Sequence, residues 1–416
     1  MNAAVHNSPL DVGFCRSHFP AVRNGWAYLD NAGGSYVPKS VIDRMSEFLA
    51  ECRNQPYSHH GPGQAANDRL RAAYKAIAQL INANTDEVVI GPSTTANLFV
   101  LGQALRKRLS PGDEIIVTNQ DHEANIGVWR RLGEFGINVV EWGIDPELGL
   151  LSVHDLERLI SGRTKLVCVT HASNVISAIN PIADIAALAH AAGARICVDG
   201  VAFAPHALID VKAWNVDYYL FSLYKVYGPH LGVLYAKREA IAEAANQNHF
   251  FYDSQGAQKL HPTGDQYEAV GAVTGILDYF ESVYAHQFGN TAGSIRERAA
   301  RLFELFAVEE AARSTKLLKY LTSKRGVRVL GPHTGDRAQR MPTIAFKVEG
   351  KRSRDIAAAL ATKKIAVAFG NFYSVRCLEG LGINDLTDGV VRISMLHYNT
   401  PQEVDRVIDA LEAGLE

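Results

Sequence analysis

The hydrophobic positions between residues 87 and 236 alternate between short continuous apolar runs and longer stretches with helical spacing. The apolar runs are EVVIG, DEIIVT, INVVEW, KLVCVT, ARICVDG, DYYLFS and LGVLYA. Helical patterns cover about residues 96–107 and 124–135, and IADIAALAHAAG is a further helix between two runs. This alternation is typical of a mainly parallel sheet flanked by helices, which is the α/β class. Such sheets bind ligands beyond the carboxyl ends of their strands.

From about Gly271 the pattern changes to long helical stretches followed by a few isolated strands. The helical stretches include GAVTGILDYFESVYA and IRERAARLFELFAVEEAARSTKLLKYL, and the strands are MPTIAFKV, IAVAF and VVRISM. With 416 residues the chain is long for a single core. The sequence therefore predicts a large α/β domain over 30–270, a smaller α+β domain over 271–416, and an N-terminal segment over 1–29 that packs with the small domain.

The composition excludes several classes of partner. Lys plus Arg number 42 and Asp plus Glu number 44, so nothing favours a nucleic acid or an anionic membrane surface. No run approaches the roughly 20 apolar residues of a membrane span, and MNAAVHNSPLDVGF does not read as a signal peptide. The five cysteines form no metal-binding spacing, which favours a reducing cytoplasm and no metal.

Hydroxyl residues follow the first predicted strand. Ser93, Thr94 and Thr95 open a helix, where hydroxyls and free N–H groups can bind a phosphate. The same residues would also be ordinary helix caps, which is the more common case for such a motif alone.

Three further residues stand just beyond predicted strands. His122 could stack on a flat cofactor ring, although an interior or capping histidine is common at such a position. Asp199 ends ARICVDG, where a carboxylate is costly to bury without a partner such as a pyridinium N–H; a turn or N-cap aspartate is the alternative. Lys225, in FSLYKVYGPHLG, is either a loop lysine with its ammonium in water or a desolvated amine that forms a Schiff base with an aldehyde. One cofactor, pyridoxal 5′-phosphate, accounts for the phosphate, ring, acid and amine sites together.

Seven segments carry a resemblance to a known family. YLDNAGGS, GPSTTANL, DHEANIGVW, THASNVISAINPI, VDGVAFAPH, DYYLFSLYKVYGPHLGVLYAKREA and VRISMLHYNTPQEVDRVIDAL resemble the class V aminotransferase family of fold-type I pyridoxal-phosphate enzymes. Within it the chain is most similar to the cysteine desulfurase and selenocysteine lyase branch. The likeness runs from about residue 28 to the C-terminus.

The resemblance implies a role for each residue around the cofactor. Lys225 matches the lysine that forms the internal aldimine and moves protons, Asp199 the acid on the pyridine nitrogen, and His122 the ring-stacking histidine. Asn174 matches an asparagine near the phenolic oxygen. Further cofactor positions implied in this way are Thr94, Thr95, Ser222 and Tyr224.

The resemblance also implies substrate and partner contacts. Arg392 matches the arginine that clamps the substrate α-carboxylate, a bidentate task suited to guanidinium. Asn31, Ala32 and Tyr373 are predicted to contact the substrate. The family forms homodimers with the active site at the subunit interface, and Thr263 or Gly264 in HPTGDQ would reach the partner's phosphate.

The departures from the family bear on the reaction. A desulfurase accepts sulfur on a cysteine in a loop after a strand like IAVAF, and here AFGNFY puts Tyr373 at that position and Ala368 at an arginine position. The nearest thiol, Cys377, is predicted to be a bystander. Ala202 replaces a glutamine that often follows the acid.

The favoured function is therefore a desulfurase-like lyase or transferase that cleaves a bond at Cβ of a small L-amino acid. Decarboxylative or aldol-type carbon chemistry, transamination, epimerisation, and a non-catalytic cofactor-holding module remain as alternatives. His59 and His60, in the loop NQPYSHHGPGQ, are either pocket residues or loop histidines without function.

Overall fold

The structure is a computed structural model that describes residues 9–52, 55–253 and 256–415. Residues 1–8 of the predicted N-terminal segment and Asn54 of the loop NQPYSHHGPGQ lie outside the described residues. Within those ranges the strands are β1 (Ala27–Tyr28), β2 (Val88–Gly91), β3 (Glu114–Thr118), β4 (Asn138–Trp142), β5 (Thr164–Thr170), β6 (Arg195–Asp199), β7 (Tyr218–Ser222), β8 (Gly232–Ala236), β9 (Val327–Leu330), β10 (Thr343–Val348), β11 (Ile365–Ala366), β12 (Ala368–Gly370) and β13 (Val390–Ser394).

The helices complete the framework and include one of 29 residues, α11. In chain order they are α1 (Val12–Ser17), α2 (Lys39–Glu51), α3 (Gly61–Leu80), α4 (Thr94–Arg106), α5 (Ala124–Arg130), α6 (Val153–Leu159), α7 (Ile182–Ala191), α8 (Arg238–Glu243), α9 (Tyr267–Ala272), α10 (Thr274–Phe288), α11 (Ile295–Ser323), α12 (Ser353–Thr362), α13 (Val375–Gly380) and α14 (Pro401–Leu415). Of the helices in the described ranges, none is both long and apolar enough to cross a bilayer.

A seven-stranded sheet forms the centre of the protein, in the order β2-β8-β7-β6-β5-β3-β4. Strands β4, β3, β5, β6 and β7 pair in parallel, and β8 runs antiparallel to both of its neighbours. This confirms the predicted α/β architecture with a mainly parallel sheet. Because β3, β5, β6 and β7 run in the same direction, their carboxyl ends meet at one edge of the sheet.

Helices cover both faces of this sheet, which explains why most positions of its inner strands are apolar. Along β5, Val167 and Val169 join the core on one face, whereas Leu166 and Cys168 join the core on the other. Successive side chains of a strand point to opposite faces, so a strand buried on both faces shows a continuous apolar run instead of an alternation.

A four-stranded antiparallel sheet, in the order β12-β13-β10-β9, forms a second core with α11, α12 and α14. Strand β1 near the N-terminus pairs with β11 in this region, while Phe19 packs in the core of the large sheet. The division of the chain into three segments at residues 29 and 270 stays a prediction.

Three elements differ from the sequence prediction in their detail. The run IAVAF divides into β11 and β12, which belong to two different sheets. The helix expected over 124–135 ends as an α-helix at Arg130 and continues as a tighter 3-10 turn to Phe135. The loop NQPYSHHGPGQ ends within a helix, because His60 is the N-cap of α3 and its Nδ1 accepts the N–H of Gly63 at 3.1 Å.

Candidate active site

The carboxyl edge of the central sheet gathers the predicted polar residues around one small cavity. His122 follows β3, Asp199 ends β6 and Ser222 ends β7, and a 3-10 turn over Leu223–Lys225 then carries Lys225. The predicted cofactor residues that line this cavity are Thr94, Thr95, His122, Asn174, Asp199, Ser222, Tyr224 and Lys225. A larger cavity of about 510 Å³ lies elsewhere, between α11 and residues 335–342, and none of these eight side chains lines it.

Lys225 is the amine of the site. Among the described residues its Nζ has no hydrogen-bond partner, and burial, with a smaller contribution from the Arg392 charge, lowers the pKa of Lys225 to about 8. The charges of Asp199 and Asp30 raise the pKa of Lys225, but by less than burial and Arg392 lower it. A substantial part of the amine is therefore neutral near pH 8, which is the form that reacts with an aldehyde.

Asp199 is the acid of the site and is 4% exposed. One carboxylate oxygen accepts the N–H of Val201 at 2.9 Å, and the other has no partner among the described residues. Burial raises the pKa of Asp199, against the Val201 N–H and the charge of Lys225, which lower it. A buried carboxylate with one open oxygen is suited to a protonated ring nitrogen, which would supply the missing charge partner.

His122 has its tautomer set by the backbone. Its Nδ1 accepts the N–H of Ala124 at 3.1 Å, so the ring proton is on Nε2. Burial first, and the charges of Lys225 and Arg392 second, lower the pKa of His122 to about 4. The ring is consequently neutral at physiological pH, as a residue that stacks on a cofactor ring should be.

The N-terminus of α4 and the end of β7 form the hydroxyl-rich part of the cavity. The Oγ1 of Thr94 and the Oγ of Ser222 lie 2.7 Å apart, and the N–H groups of Thr94 and Thr95 have no acceptor within the helix. Gly232 permits this arrangement, because a Cβ at Gly232 would stand 2.2 Å from the backbone nitrogen of Thr94. The group of donors fits a phosphate.

Ser93 caps the helix that it precedes, and its predicted contact with the cofactor stays a prediction. Its Oγ accepts the N–H of Ala96 at 3.1 Å, so Ser93 is the N-cap of α4, and its side chain is not among those that line the cavity. The capping role that the motif also allowed is the one observed.

Arg392 lies on β13 and is 4% exposed. Its Nη2 donates to Asp30 at 3.1 Å and its Nη1 donates to the carbonyl oxygen of Asn174 at 3.2 Å. The Nε is buried and has no partner. Arg392 does not line the small cavity, but it donates to Asn174, which does, so the guanidinium lies beside the same site.

The loop Gly370–Ser374, which follows β12, closes the other side of the site. Asn174 holds it with both side-chain groups: its amide donates to the carbonyl oxygen of Phe372 at 3.0 Å, and its oxygen accepts from Ser374 at 2.7 Å. Tyr373 projects from the loop, 71% exposed, with its ring 5.3 Å from that of His122. The predicted position of Tyr373 beside the site is therefore observed, whereas its contact with a substrate stays a prediction.

Asn31 and Ala32 do not line the cavity, and their polar groups are used within the protein. The Asn31 amide donates to Ser394 and Asn399 and its oxygen accepts from Tyr398, and the predicted contact of Asn31 with the substrate stays a prediction. The N–H of Ala32 is likewise used by the Ser394 hydroxyl, at 2.7 Å.

Two exposed regions of the chain also do not line the cavity. Thr263 and Gly264 do not line it, and their predicted reach to a partner's phosphate stays a prediction. His59 and His60 are exposed and do not line it either, and His60 has the capping role described above.

Sequence reasoning missed two residues that contact Arg392. Asp30 stands 362 positions before it, and the ring of Phe372 lies 3.8 Å from the guanidinium carbon. Asp30 is part of YLDNAGGS and Phe372 is the neighbour of Tyr373, so both lie in segments in which other residues were predicted to contact the substrate. Only the fold reveals that they meet at one guanidinium.

The residues present fit pyridoxal 5′-phosphate. The open oxygen of Asp199, the unpartnered amine of Lys225, the neutral ring of His122 and the donors at the start of α4 are the four contacts that this cofactor needs. A mainly parallel sheet that carries these groups at its carboxyl edge defines the class of fold-type I pyridoxal-phosphate enzymes.

Comparison with known proteins agrees with this class. The family model for class-V aminotransferases matches residues 27–264 and 297–407. The chain is 38% identical to the aminotransferase-like protein FGM3 of Gibberella zeae, over 99% of this chain and 100% of that protein. It is 34% identical to the cysteine desulfurase-like protein ustD of Aspergillus flavus, over 95% of this chain and 88% of that protein. The structure of the cysteine desulfurase CsdA from Escherichia coli matches with a TM-score of 0.82 and 26% identity, over 98% of this chain and 99% of that chain.

The chain belongs to the class V aminotransferase family. Its relatives include cysteine desulfurases and desulfurase-like proteins, and members of these groups depend on pyridoxal 5′-phosphate.

Proposed function

We propose that this protein is a pyridoxal-phosphate-dependent lyase or transferase that cleaves a bond at Cβ of a small L-amino acid without passing sulfur through a protein thiol. The lack of an accessible thiol beside the site supports the part of this proposal that concerns sulfur. The loop beside His122 presents Tyr373, and the nearest thiol along the chain, Cys377, is completely buried in an apolar cluster of α13. Burial raises the pKa of the Cys377 thiol to about 12, so it offers neither access nor a thiolate.

The cofactor supplies an electron sink for carbanionic character at Cα of a bound amino acid. The residues of this chain supply the rest. Asp199 would keep the ring nitrogen protonated through its unpartnered oxygen, and the neutral His122 ring would stack on the cofactor ring. Lys225 would hold the cofactor and would move the proton at Cα, because its pKa of about 8 lets it act as a base near neutral pH.

Arg392 binds the α-carboxylate of the substrate. It is a buried guanidinium with an unpartnered Nε, and a planar carboxylate is the ligand that best satisfies such a group. The clamp orients the amino acid so that the bonds at Cα are presented to Lys225.

Without an accessible thiolate, this chain cannot take sulfur from Cβ onto a protein cysteine. A desulfurase removes sulfur by thiolate attack on the substrate's sulfur atom, and the described part of this chain has no such group at the loop tip. The substituent therefore leaves unassisted by a protein nucleophile. The same observation favours a second candidate, decarboxylative or aldol-type chemistry at a carbon–carbon bond, because that chemistry needs no thiol.

We also propose that the enzyme works as a homodimer in the cytoplasm. Thr263 and Gly264 are exposed and do not line the cavity of their own chain, which leaves them free to contact a partner's phosphate.

A screen of small L-amino acids tests the proposed function. The purified holoenzyme is mixed with L-cysteine, L-cysteine sulfinate, L-aspartate and L-alanine, and changes of the visible absorbance are followed by identification of the products. We expect at least one amino acid to shift the absorbance and to lose its Cβ substituent. Lys225→Ala should abolish both effects. A protein that cannot be reconstituted with the cofactor, or one that converts cysteine to sulfide only while Cys377 is intact, contradicts the proposal.

A further inference from the structure

The Arg392 guanidinium is held through Nη1, through Nη2 and over one of its faces. Asp30 accepts from Nη2 at 3.1 Å, the carbonyl oxygen of Asn174 accepts from Nη1 at 3.2 Å, and the ring of Phe372 lies 3.8 Å from the guanidinium carbon. Among the described residues, Asp30 makes the one ion pair of Arg392. These contacts leave the plane of the guanidinium little freedom to turn.

The buried Nε of the guanidinium has no hydrogen-bond partner among the described residues. In arginine the Nε–H lies beside an N–H of Nη2, and these two parallel donors form an edge that a carboxylate binds with both oxygens. Here Nε is buried and unpartnered, and Asp30 contacts Nη2 through one oxygen only. A buried N–H without an acceptor is costly, so this edge is prepared for a ligand.

Asp30 is well placed to keep the guanidinium in this orientation. It follows β1 and forms a parallel bridge with Ser394, two residues beyond Arg392 on β13. The side chain of Asp30 is 30% exposed whereas that of Arg392 is 5% exposed, so the pair lies at the border between the buried strand and the open site.

Phe372 is held in its position at a conformational cost. Phe372 and Tyr373 have φ angles of 53° and 57°, in the left-handed region that residues other than glycine seldom adopt. Asn174 fixes the carbonyl oxygen of Phe372, and the N–H of Glu123 donates to the carbonyl oxygen of Tyr373 at 2.7 Å. This backbone conformation places the ring of Phe372 over one face of the guanidinium.

We propose that Asp30 and Phe372 are positioning residues that hold the Arg392 guanidinium in the orientation in which its unpartnered Nε binds the α-carboxylate of an amino-acid substrate. This inference rests on the proposed function and adds two residues to it. Asp30 fixes the rotation of the guanidinium in its plane, and Phe372 fixes the plane itself through a cation–π contact. Ligands that lack the α-carboxylate should gain nothing from either residue.

Two probes that differ only at the carboxylate isolate this role. The holoenzyme is titrated with L-alanine and with L-alaninamide, and the dissociation constants come from the change of visible absorbance. The ratio of the two constants measures the contribution of the carboxylate. General damage to the site weakens the binding of both ligands and leaves the ratio of their dissociation constants unchanged.

Asp30→Asn and Phe372→Leu are compared with matched controls. Asp43→Asn removes an exposed carboxylate that is paired with Lys39, and Phe135→Leu removes a ring that lies 4.5 Å from the guanidinium of Arg106. We expect the preference for L-alanine to fall about tenfold in each test variant, which corresponds to the loss of one charge-assisted hydrogen bond, and to stay unchanged in the controls.

The outcomes separate this inference from the proposed function. An unchanged ratio in both test variants overturns the positioning role, and a ratio that rises in Asp30→Asn shows instead that Asp30 competes with the substrate for the guanidinium. If the wild-type enzyme responds to L-alanine and L-alaninamide equally, or to neither, Arg392 is not a carboxylate clamp and the proposed function fails in that part together with this inference.

Discussion

Tyr373 and Cys377 lie four positions apart on the chain but in opposite environments. The side chain of Tyr373 is 71% exposed, with its ring 5.3 Å from that of His122, whereas Cys377 has no exposed surface and packs between Leu378, Leu381 and other apolar residues. The side chain that faces the site at this loop is therefore a phenol and not a thiol.

Removal of the Cys377 thiol should leave the reaction intact. In Cys377→Ala we expect product formation to stay within about twofold of the wild-type rate and the free energy of unfolding to fall by about 1 kcal/mol, because a buried side chain is truncated. Product assays and chemical denaturation measure the two quantities. Loss of activity at full cofactor occupancy would show that Cys377 takes part in the chemistry.

The stability of the cofactor-free protein should depend on Lys225 in a defined pH range. The folded-state pKa is about 8 and the ordinary value is 10.5, so the unfolded chain binds more protons between these values and stability rises with pH across that window. Cofactor-free Lys225→Met should melt at a higher temperature than the cofactor-free wild type at pH 7. This difference should shrink as the pH rises from 8 to 10.5. A difference that stays constant with pH means that the amine is not desolvated.

Gly232→Ala should separate β8 from the start of α4. The added Cβ would lie 2.2 Å from the backbone nitrogen of Thr94, and overpacking of this kind costs about 1–3 kcal/mol. We expect a lower melting temperature together with weaker cofactor binding, because the shifted helix start carries the phosphate donors. Gly143→Ala is the matched control, since its Cβ meets nothing within 4 Å. Equal cofactor affinity in both variants would contradict the phosphate assignment.

Thr94→Val should weaken binding of the cofactor without changing its absorbance spectrum. Valine keeps the shape of threonine but removes the hydroxyl that lies 2.7 Å from the Ser222 hydroxyl. We expect the dissociation constant of the cofactor to rise about tenfold, as for the loss of one hydrogen bond to a charged group, with the absorbance maximum unchanged. Thr362→Val, which removes an exposed hydroxyl on α12, should have no effect. Reconstitution titrations of the cofactor-free proteins measure both.

The strands of the central sheet and the residues at their ends could be predicted from the chain. Burial on both faces makes β2, β3, β5, β6, β7 and β8 largely apolar. A polar residue at the end of such a run, such as Asp199, or just beyond it, such as Lys225, marks the functional edge. Ser93 shows the limit of this reasoning, because a capping serine and a phosphate-binding serine look the same in sequence. Asn31 shows it as well, since its partners Ser394 and Asn399 are distant in the chain.

The sequence by itself determined the class of fold and the kind of cofactor, since both depend on local patterns: apolar runs of fixed length and single polar residues at their ends. Only the tertiary structure decided what surrounds Arg392 and where Cys377 lies. Asp30 and Arg392 are 362 positions apart, and the burial of Cys377 depends on packing from other segments. Contacts of this kind come from chain closure over long separations, and no local pattern in the sequence encodes them.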